Sequence, residues 1–403
     1  MSPPHYFDSA STTPCEPEVV SKLNQYALEN FGNPSSSHLY GQKAARALRE
    51  ARHFFAHLFR VQPEQVIFTS GGTEANNLAL YGIAFKEFIS PQSAHCSRLL
   101  ISAIEHASVK KPAESLKDFG MEVVSIPIDR AAQIDSCEFE ALVSQKTRLV
   151  SIQQVNPIVG THLPVEKLAI QAKKLAPQLV FHTDAVQAFG KVDIPQHPSP
   201  VDLVSLSAHK IGGPKGVGAL IVLNKNLLQP HSVRSPLRPL LWGGDQENGF
   251  RSGTQNPGLI AGFHLAAQMT LQNKSEVSHH FIRLNQLFQE KLDKKGLPIQ
   301  WNSPAEAVPS IISLSIPGIP SSVMAQLLEE RNCLVSVGSA CSSKKPEPEP
   351  VLRAMGKPLE LQTSGIRISF LKQTQLQDIE TLANALEDSI RVFHQLNRNK
   401  RKP

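Results

Sequence analysis

The strongest constraint in this sequence is an alternation. Through the first two hundred residues, short apolar runs recur between stretches of helical spacing. "QVIFTS" (65–70), "RLLISA" (98–103), "MEVVSI" (121–126), "RLVSIQ" (148–153), "LVFHTD" (179–184) and "LVSLS" (203–207) are each strand-length. They are mostly apolar on consecutive positions, as strands buried on both faces are. Helical spacing over 73–86 and 165–174 fills gaps between them. Strands that alternate with helices build a mostly parallel sheet covered by helices. The expected class is therefore α/β, and ligands in such sheets sit beyond the C-terminal strand ends.

The texture changes after Asn256. A long helical stretch (258–295) leads into strand-like "SIISLSI" (310–316), "LVSVGS" (334–339) and "GIRISF" (365–370), then a last amphipathic helix (375–396). A chain of 403 residues is long for one core, and this second texture reads as a smaller α+β domain. "KKPEPEP" (344–350) reads as a loop, since "VLRAMG" follows directly.

Composition excludes several classes. The net charge of +6 is mild for this length and does not argue for nucleic acid. The basic end "RNKRKP" reads as a solvated terminus. No segment is long and apolar enough to span a membrane. The start, "MSPPHYFDSASTTP", lacks the basic and apolar regions of a signal peptide and enters strand-like sequence quickly. Five cysteines (Cys15, Cys96, Cys137, Cys333, Cys341), odd in number and without CxxC spacing, argue against a disulfide framework or a zinc site. They suit a reducing compartment, and the expected location is cytoplasmic with no metal.

Four strand ends carry chemistry. "FTSGGTEANN" places Gly71, Gly72 and Thr73 at a strand-to-helix turn, where free N–H groups attract an anion. Thr73 acting as a plain N-cap fits equally well. "ISAIEHASV" sets His106 just past a strand, where a single histidine reads first as structural. "VFHTDAVQAFGK" brings Asp184 out of an apolar strand, with Gln187 three residues on. A buried carboxylate there needs a cationic or donor partner. "VDLVSLSAHKIGGPKGVGAL" delivers Ser207, His209 and Lys210 into a glycine-rich turn. "SAHK" formally fits S-x-x-K, but S-D-N and K-T-G are missing. Taken together, the four ends describe a site for an anionic, heteroaromatic aldehyde. The Lys210 amine could join it as a Schiff base and Asp184 could pair with a protonated ring nitrogen.

The same blocks carry a family resemblance. "YFDSASTTP", "FGNPSSSH", "FTSGGTEANN", "EHASV", "DAVQAFGK", "SLSAHKIGGPKGVGAL", "GGDQENGFRSGTQN", "GSACSS" and "IRIS" follow one another along nearly the whole chain. In them the sequence resembles the cysteine desulfurases of the NifS/IscS group, among the class V aminotransferase-like, fold-type-I pyridoxal phosphate enzymes. The resemblance implies a large cofactor-binding domain over 16–262. Residues 1–15 and 263–403 would form the small domain that carries the catalytic-cysteine loop. It also implies pyridoxal 5'-phosphate held on Lys210, with His106 stacked on the ring. Asp184 and Gln187 would meet the ring nitrogen and the ring hydroxyl. Gly72, Thr73, Ser207 and His209 would hold the phosphate, and Thr254 would reach the neighbouring subunit's phosphate in a homodimer. Asn156 would lie against cofactor and substrate. Asn33, Asn156 and Arg367 would hold L-cysteine, with Arg367 on its carboxylate. Cys341 would take the sulfur as a persulfide, leaving alanine, and pass it to an acceptor protein such as an iron–sulfur scaffold or a tRNA-thiolation relay. The polar stretch after Cys341 would carry it between sites.

Three departures stand out. Where the family has Asn-Glu after the asparagine at 156, this chain has Pro157 and Ile158. Where it has Gly-Arg-x-Thr after "IRIS", this chain has Leu371, Lys372, Gln373 and Thr374. The stretch after Cys341 keeps its length but gains lysines, glutamates and prolines. Selenocysteine lyase, another class V enzyme such as an aminotransferase, and a non-catalytic scaffold are the rival readings. Cys341 in "GSAC" counts against the aminotransferase, and the intact Lys210, His106, Asp184 and Cys341 set counts against the scaffold.

Overall fold

The computed structural model describes residues 3–89, 97–229, 235–337 and 347–400. Its strands, in chain order, are β1 (His5–Tyr6), β2 (Val66–Thr69), β3 (Arg98–Ser102), β4 (Glu122–Ile126), β5 (Thr147–Ser151), β6 (Val180–Asp184) and β7 (Leu203–Ser207). They continue with β8 (Gly218–Val222), β9 (Gln300–Trp301), β10 (Ile311–Ser315), β11 (Cys333–Leu334), β12 (Ser336–Val337) and β13 (Gly365–Ser369).

The seven strands β2 to β8 make one sheet in the order β2-β8-β7-β6-β5-β3-β4. β8 runs antiparallel to both its neighbours, and the remaining pairs are parallel. Six strands therefore point one way and end on one edge. Every residue of β6, β7 and β8 is buried, which is why these strands read as unbroken apolar runs. The edge strand β4 has two exposed and two half-buried residues, as its mixed sequence requires.

Helices cover both faces. The Leu39–Phe59 helix buries Ala44, Leu48, Ala51, Phe55 and Phe59, a stripe at three- and four-residue spacing. Phe55 packs against Phe68 of β2 and Phe263 of the Pro257–Gln272 helix. On the other face, Leu78 and Leu80 of the Gly72–Ile89 helix share a core with Ile67, Leu99, Leu203 and Leu220.

A second core joins Phe7, Phe288, Leu314, Ile366, Ile368 and Leu382. It lies on the antiparallel sheet β12-β13-β10-β9. The chain start belongs to this second body: β1 pairs with β11, and Asp8 bridges to Ser369. Ala10 is already in the large core. The helical stretch 258–295 is two helices, Pro257–Gln272 and Lys274–Lys295, parted at Asn273. Asn273 turns its amide back to the Met269 carbonyl, the local competition that ends helices. The first of these helices packs in the large core and the second in the small one. The division read at 262/263 thus falls inside a helix, while the apolar cores divide near 273. The run 334–339 likewise divides, into β11 and β12, which join different sheets. Among the described residues no helix is long and apolar enough to cross a membrane.

One buried ion pair ties the loop near 247 to the sheet. Glu247, at a φ of 51, accepts from Arg52 Nη1 and Nη2 at 2.8 and 2.7 Å and from the Phe68 N–H at 2.9 Å. Gln255 adds a fourth bond at 2.6 Å. Glu247→Ala leaves the half-buried Arg52 and the Phe68 amide without this partner. It should lower the urea unfolding free energy by about 3 kcal/mol.

Candidate active site

The C-terminal strand ends surround a cavity of about 490 Å³. Its floor is Asp184, the last residue of β6, which is 7% exposed. The Asp184 carboxylate accepts from Asn76 Nδ2 at 2.7 Å and from the Val186 N–H at 2.9 Å. Among the described residues it touches no cation. The same Asn76 amide donates to Ser108 Oγ at 2.8 Å, and Ser108 Oγ lies 2.8 Å from His106 Nδ1. A polar chain therefore runs from Asp184 through Asn76 and Ser108 to His106.

His106 caps the Ala107–Leu116 helix, its Nδ1 accepting from the Ser108 N–H. That places the proton of the neutral ring on Nε2. Burial, and then the charge of Lys210, hold its pKa below the ordinary value against the pull of Asp184. Glu105 anchors the preceding turn, with Oε1 accepting from Ser102 Oγ and the Gln153 N–H.

Lys210 closes a short turn after β7. Its Nζ donates to the carbonyls of Ala10 and Ser11 at 2.7 and 2.6 Å. Burial first, then the Arg367 guanidinium, push its pKa down to about 8, while Asp184 and Asp8 oppose the shift. About a tenth of this amine is then neutral, and so nucleophilic, at pH 7, far more than for an ordinary lysine.

The anion cradle is built from small residues. The Gly72–Ile89 helix begins at Gly72, where the first backbone N–H groups have no helical partner. A Cβ on Gly72 would lie 2.8 Å from Val186 Cγ2 and 3.5 Å from Ser207 Cβ. Thr73, Ser207 and His209 line the same space. His209 is 3.1 Å from Thr12 Oγ1 through Nδ1 and is pushed down to about 4, chiefly by burial. Arg367 of β13 enters from the small domain. Its Nη2 pairs with Asp8 at 2.6 Å and Nη1 donates to the Pro157 carbonyl at 3.0 Å. Its buried Nε has no partner among the described residues.

Gly72, Thr73, His106, Asp184, Gln187, Ser207, His209, Lys210 and Arg367 thus converge on one cavity, as their sequence blocks suggested. Three others do not line it. Asn156 is fully buried, with Oδ1 accepting from the Ile158 and Val159 N–H groups and Nδ2 donating to Ile104 O. Its amide is spent on shaping the turn. Asn33 is exposed and caps Ser35, and Thr254 is exposed. Cys341 and Cys96 lie outside the described residues. Asn76, Ser108 and Asp8 went unread as site residues. The only signal was an amide on an otherwise apolar face, between Ala75 and Ala79. Pro157 and Ile158 do line the cavity.

The chain matches the family model described as aminotransferase class-V over residues 5–382. It is 34% identical over 383 residues to the cysteine desulfurase IscS of Dictyoglomus turgidum, covering 95% of this chain and 93% of that one. It is 33% identical over 395 residues to the mitochondrial cysteine desulfurase of Saccharomyces cerevisiae, covering 98% and 76%. A solved NifS-like protein superposes with a TM-score of 0.87 at 31% identity, over 96% of this chain and 100% of that one.

Beneath the site, His182 is wedged between Ser151 Oγ at 2.8 Å and Ser205 Oγ at 2.9 Å, and burial pushes it down to about 3. Its folded pKa is below its unfolded one, so acid favours the unfolded chain. This contribution is present above the ordinary value and is lost as pH falls. The stability advantage of the native protein over His182→Asn should grow between about pH 4 and 6.5 and then level off. Urea unfolding across that range measures it; a pH-independent difference would contradict the assignment.

Proposed function

Because the chain belongs to the class-V aminotransferase family, we propose that this cavity holds pyridoxal 5'-phosphate and that the protein desulfurates L-cysteine. Cysteine desulfurases match it along nearly its whole length. The observation that carries the proposal is the opposition of Asp184 and Lys210. A buried carboxylate with no cation in contact faces the same cavity as an amine of lowered pKa. The residues present fit the cofactor. The Gly72 cradle leaves room that a side chain would fill, the helix start suits a phosphate, and Asp184 suits a protonated ring nitrogen. When bound, this cofactor supplies an electron sink for charge arising at the substrate's α-carbon.

The side chains then divide the work. Asp184 would hold the ring nitrogen in its charged form, with Asn76 keeping that carboxylate oriented. His106 would lie against the ring. Lys210 would anchor the cofactor and carry a proton to and from the α-carbon. Arg367, which lines the cavity, would take the substrate carboxylate. The Cys341 thiolate attacks the substrate sulfur. The bond between β-carbon and sulfur breaks, its electron pair stays on carbon, and a proton completes alanine. Cys341 keeps the transferred sulfur as a persulfide for an acceptor protein.

The exposed Thr254 supports the reading that it reaches a second subunit. Exposed apolar side chains support a homodimer as well, with Leu28 77% and Trp242 71% accessible. The free Cys15, Cys137 and Cys333 suit a reducing compartment, here assigned as the cytoplasm.

Two outcomes test this. Purified protein given pyridoxal phosphate should show a visible absorption band that Lys210→Ala lacks. With L-cysteine and a thiol reductant, which takes the sulfur off Cys341 as sulfide, it should yield alanine and sulfide in equal amounts. Cys341→Ser should keep the band and lose at least about 100-fold of the sulfide release. Alanine without sulfide, or full turnover by Cys341→Ser, would refute the assignment. Second, exchange of subunits between inactive Lys210→Ala and Thr254→Ala proteins should restore activity, since one site per heterodimer is then intact. No recovery after proven exchange would refute the shared site.

A further inference from the structure

Asp184 is followed by a tight turn in which Gly190 adopts a φ of +79. The turn is pressed against the Pro257–Gln272 helix, since a Cβ on Gly190 would lie 2.2 Å from Thr270 Cγ2. It brings Lys191 back over Gln187. Lys191 Nζ donates to Gln187 Oε1 at 3.0 Å and to the Gln187 backbone carbonyl at 3.1 Å. Gln187 Nε2 donates to the Ala10 carbonyl at 2.7 Å. That carbonyl also accepts from Lys210 Nζ. A second, half-buried amine thus stands one amide away from Lys210. Among the described residues no carboxylate pairs with it. Burial, and then the charge of Lys210, push its pKa down to about 7.

An ammonium in this setting is destabilising unless it does something there. Its effect on Gln187 is specific. The two ends of a carboxamide are close to the same shape, and only their hydrogen bonds decide which end faces where. Lys191 can donate and cannot accept while charged, so it selects the oxygen of Gln187. One N–H of Nε2 goes to Ala10, and the other is left for the cavity that Gln187 lines.

We propose that Lys191, in its charged form, is a positioning residue: it fixes the Gln187 amide so that an N–H, rather than the oxygen, meets the phenolic oxygen of the bound cofactor ring. This rests on the pyridoxal phosphate reading above. The consequence is electrostatic. An N–H donated to the phenolic oxygen stabilises negative charge there and weakens the hold on the proton shared with the Lys210 nitrogen. The pH midpoint of the cofactor's visible band is therefore set low. The titratable or charged groups around Lys210 and Lys191 include Asp184, Asp8, His106, His209 and Arg367, with the Glu16–Lys372 ion pair lining the second cavity that the two lysines share, and all are kept in the variants that follow.

The experiment is a spectrophotometric pH titration of the pyridoxal phosphate-loaded protein without substrate. Lys191→Met and Gln187→Ala should each raise the midpoint, by about one pH unit. Lys191→Arg, which keeps the donor, should stay near the native value. The double variant should match Gln187→Ala alone, because Lys191 acts through that amide. A Lys191→Met shift that persists undiminished in the Gln187→Ala background would mean charge alone, and would overturn the proposal. Gln187→Ala leaves the lysine's packing in place, so an unchanged midpoint there overturns it even if Lys191→Met fails to fold. A native protein with no visible band would overturn the cofactor reading itself; a native band with unmoved variants overturns this inference alone.

Discussion

A carboxylate at the inner end of β6 governs this molecule. Asp184 is buried at a strand terminus, where desolvation costs several kcal/mol unless donors or a cation compensate. The fold supplies two donors, the Asn76 amide and the Val186 N–H, and leaves the cavity side to something positive. That arrangement requires the Gly72–Ile89 helix to lie across the sheet with Asn76 inward. It also requires the Ala107–Leu116 helix to start close enough for Ser108 to take the second amide proton. His106 is oriented by the same serine. The parallel sheet makes this possible, because six strands deliver their polar ends to one edge.

The opposite wall solves a different problem. Lys210 and Arg367 bring two cations to one cavity, and the guanidinium makes the amine harder to charge. Asp8 and the Ala10 and Ser11 carbonyls offset this, and all come from the chain's first strand-and-turn. This is why the N-terminal segment belongs to two bodies at once. Phe7 packs in the small core, Ala10 in the large one, and the polar atoms between them serve the site. Pro157 and Ile158, the departure from the family pattern, fit the same frame. The Pro157 carbonyl accepts from Arg367, so a backbone oxygen anchors the guanidinium where side-chain chemistry has changed.

Much of this was legible beforehand, and what was not has physical causes. Six of the seven strands of the large sheet could be read, because burial keeps most of their positions apolar; β8 was not among them. β1 and β9 have two residues each, too few for any period. Lys210, Asp184 and His106 announced themselves by standing at strand ends. Asn76 and Ser108 did not, because their role exists only across two helices distant in sequence. Asn156 is the reverse case: its amide oxygen is held locally by the turn that follows it. The break at Asn273 was invisible because both flanking helices have good helical sequence and differ only in the core they join.

The account stands or falls on which amine the cavity activates. Two half-buried lysines, Lys210 and Lys191, lie within one amide of each other, and the geometry assigns them separate tasks. Borohydride reduction of the protein loaded with pyridoxal phosphate makes any lysine adduct permanent, and peptide mass analysis then locates it. The account predicts the label on Lys210 and none on Lys191. Label on Lys191, or no covalent label at all, would contradict it.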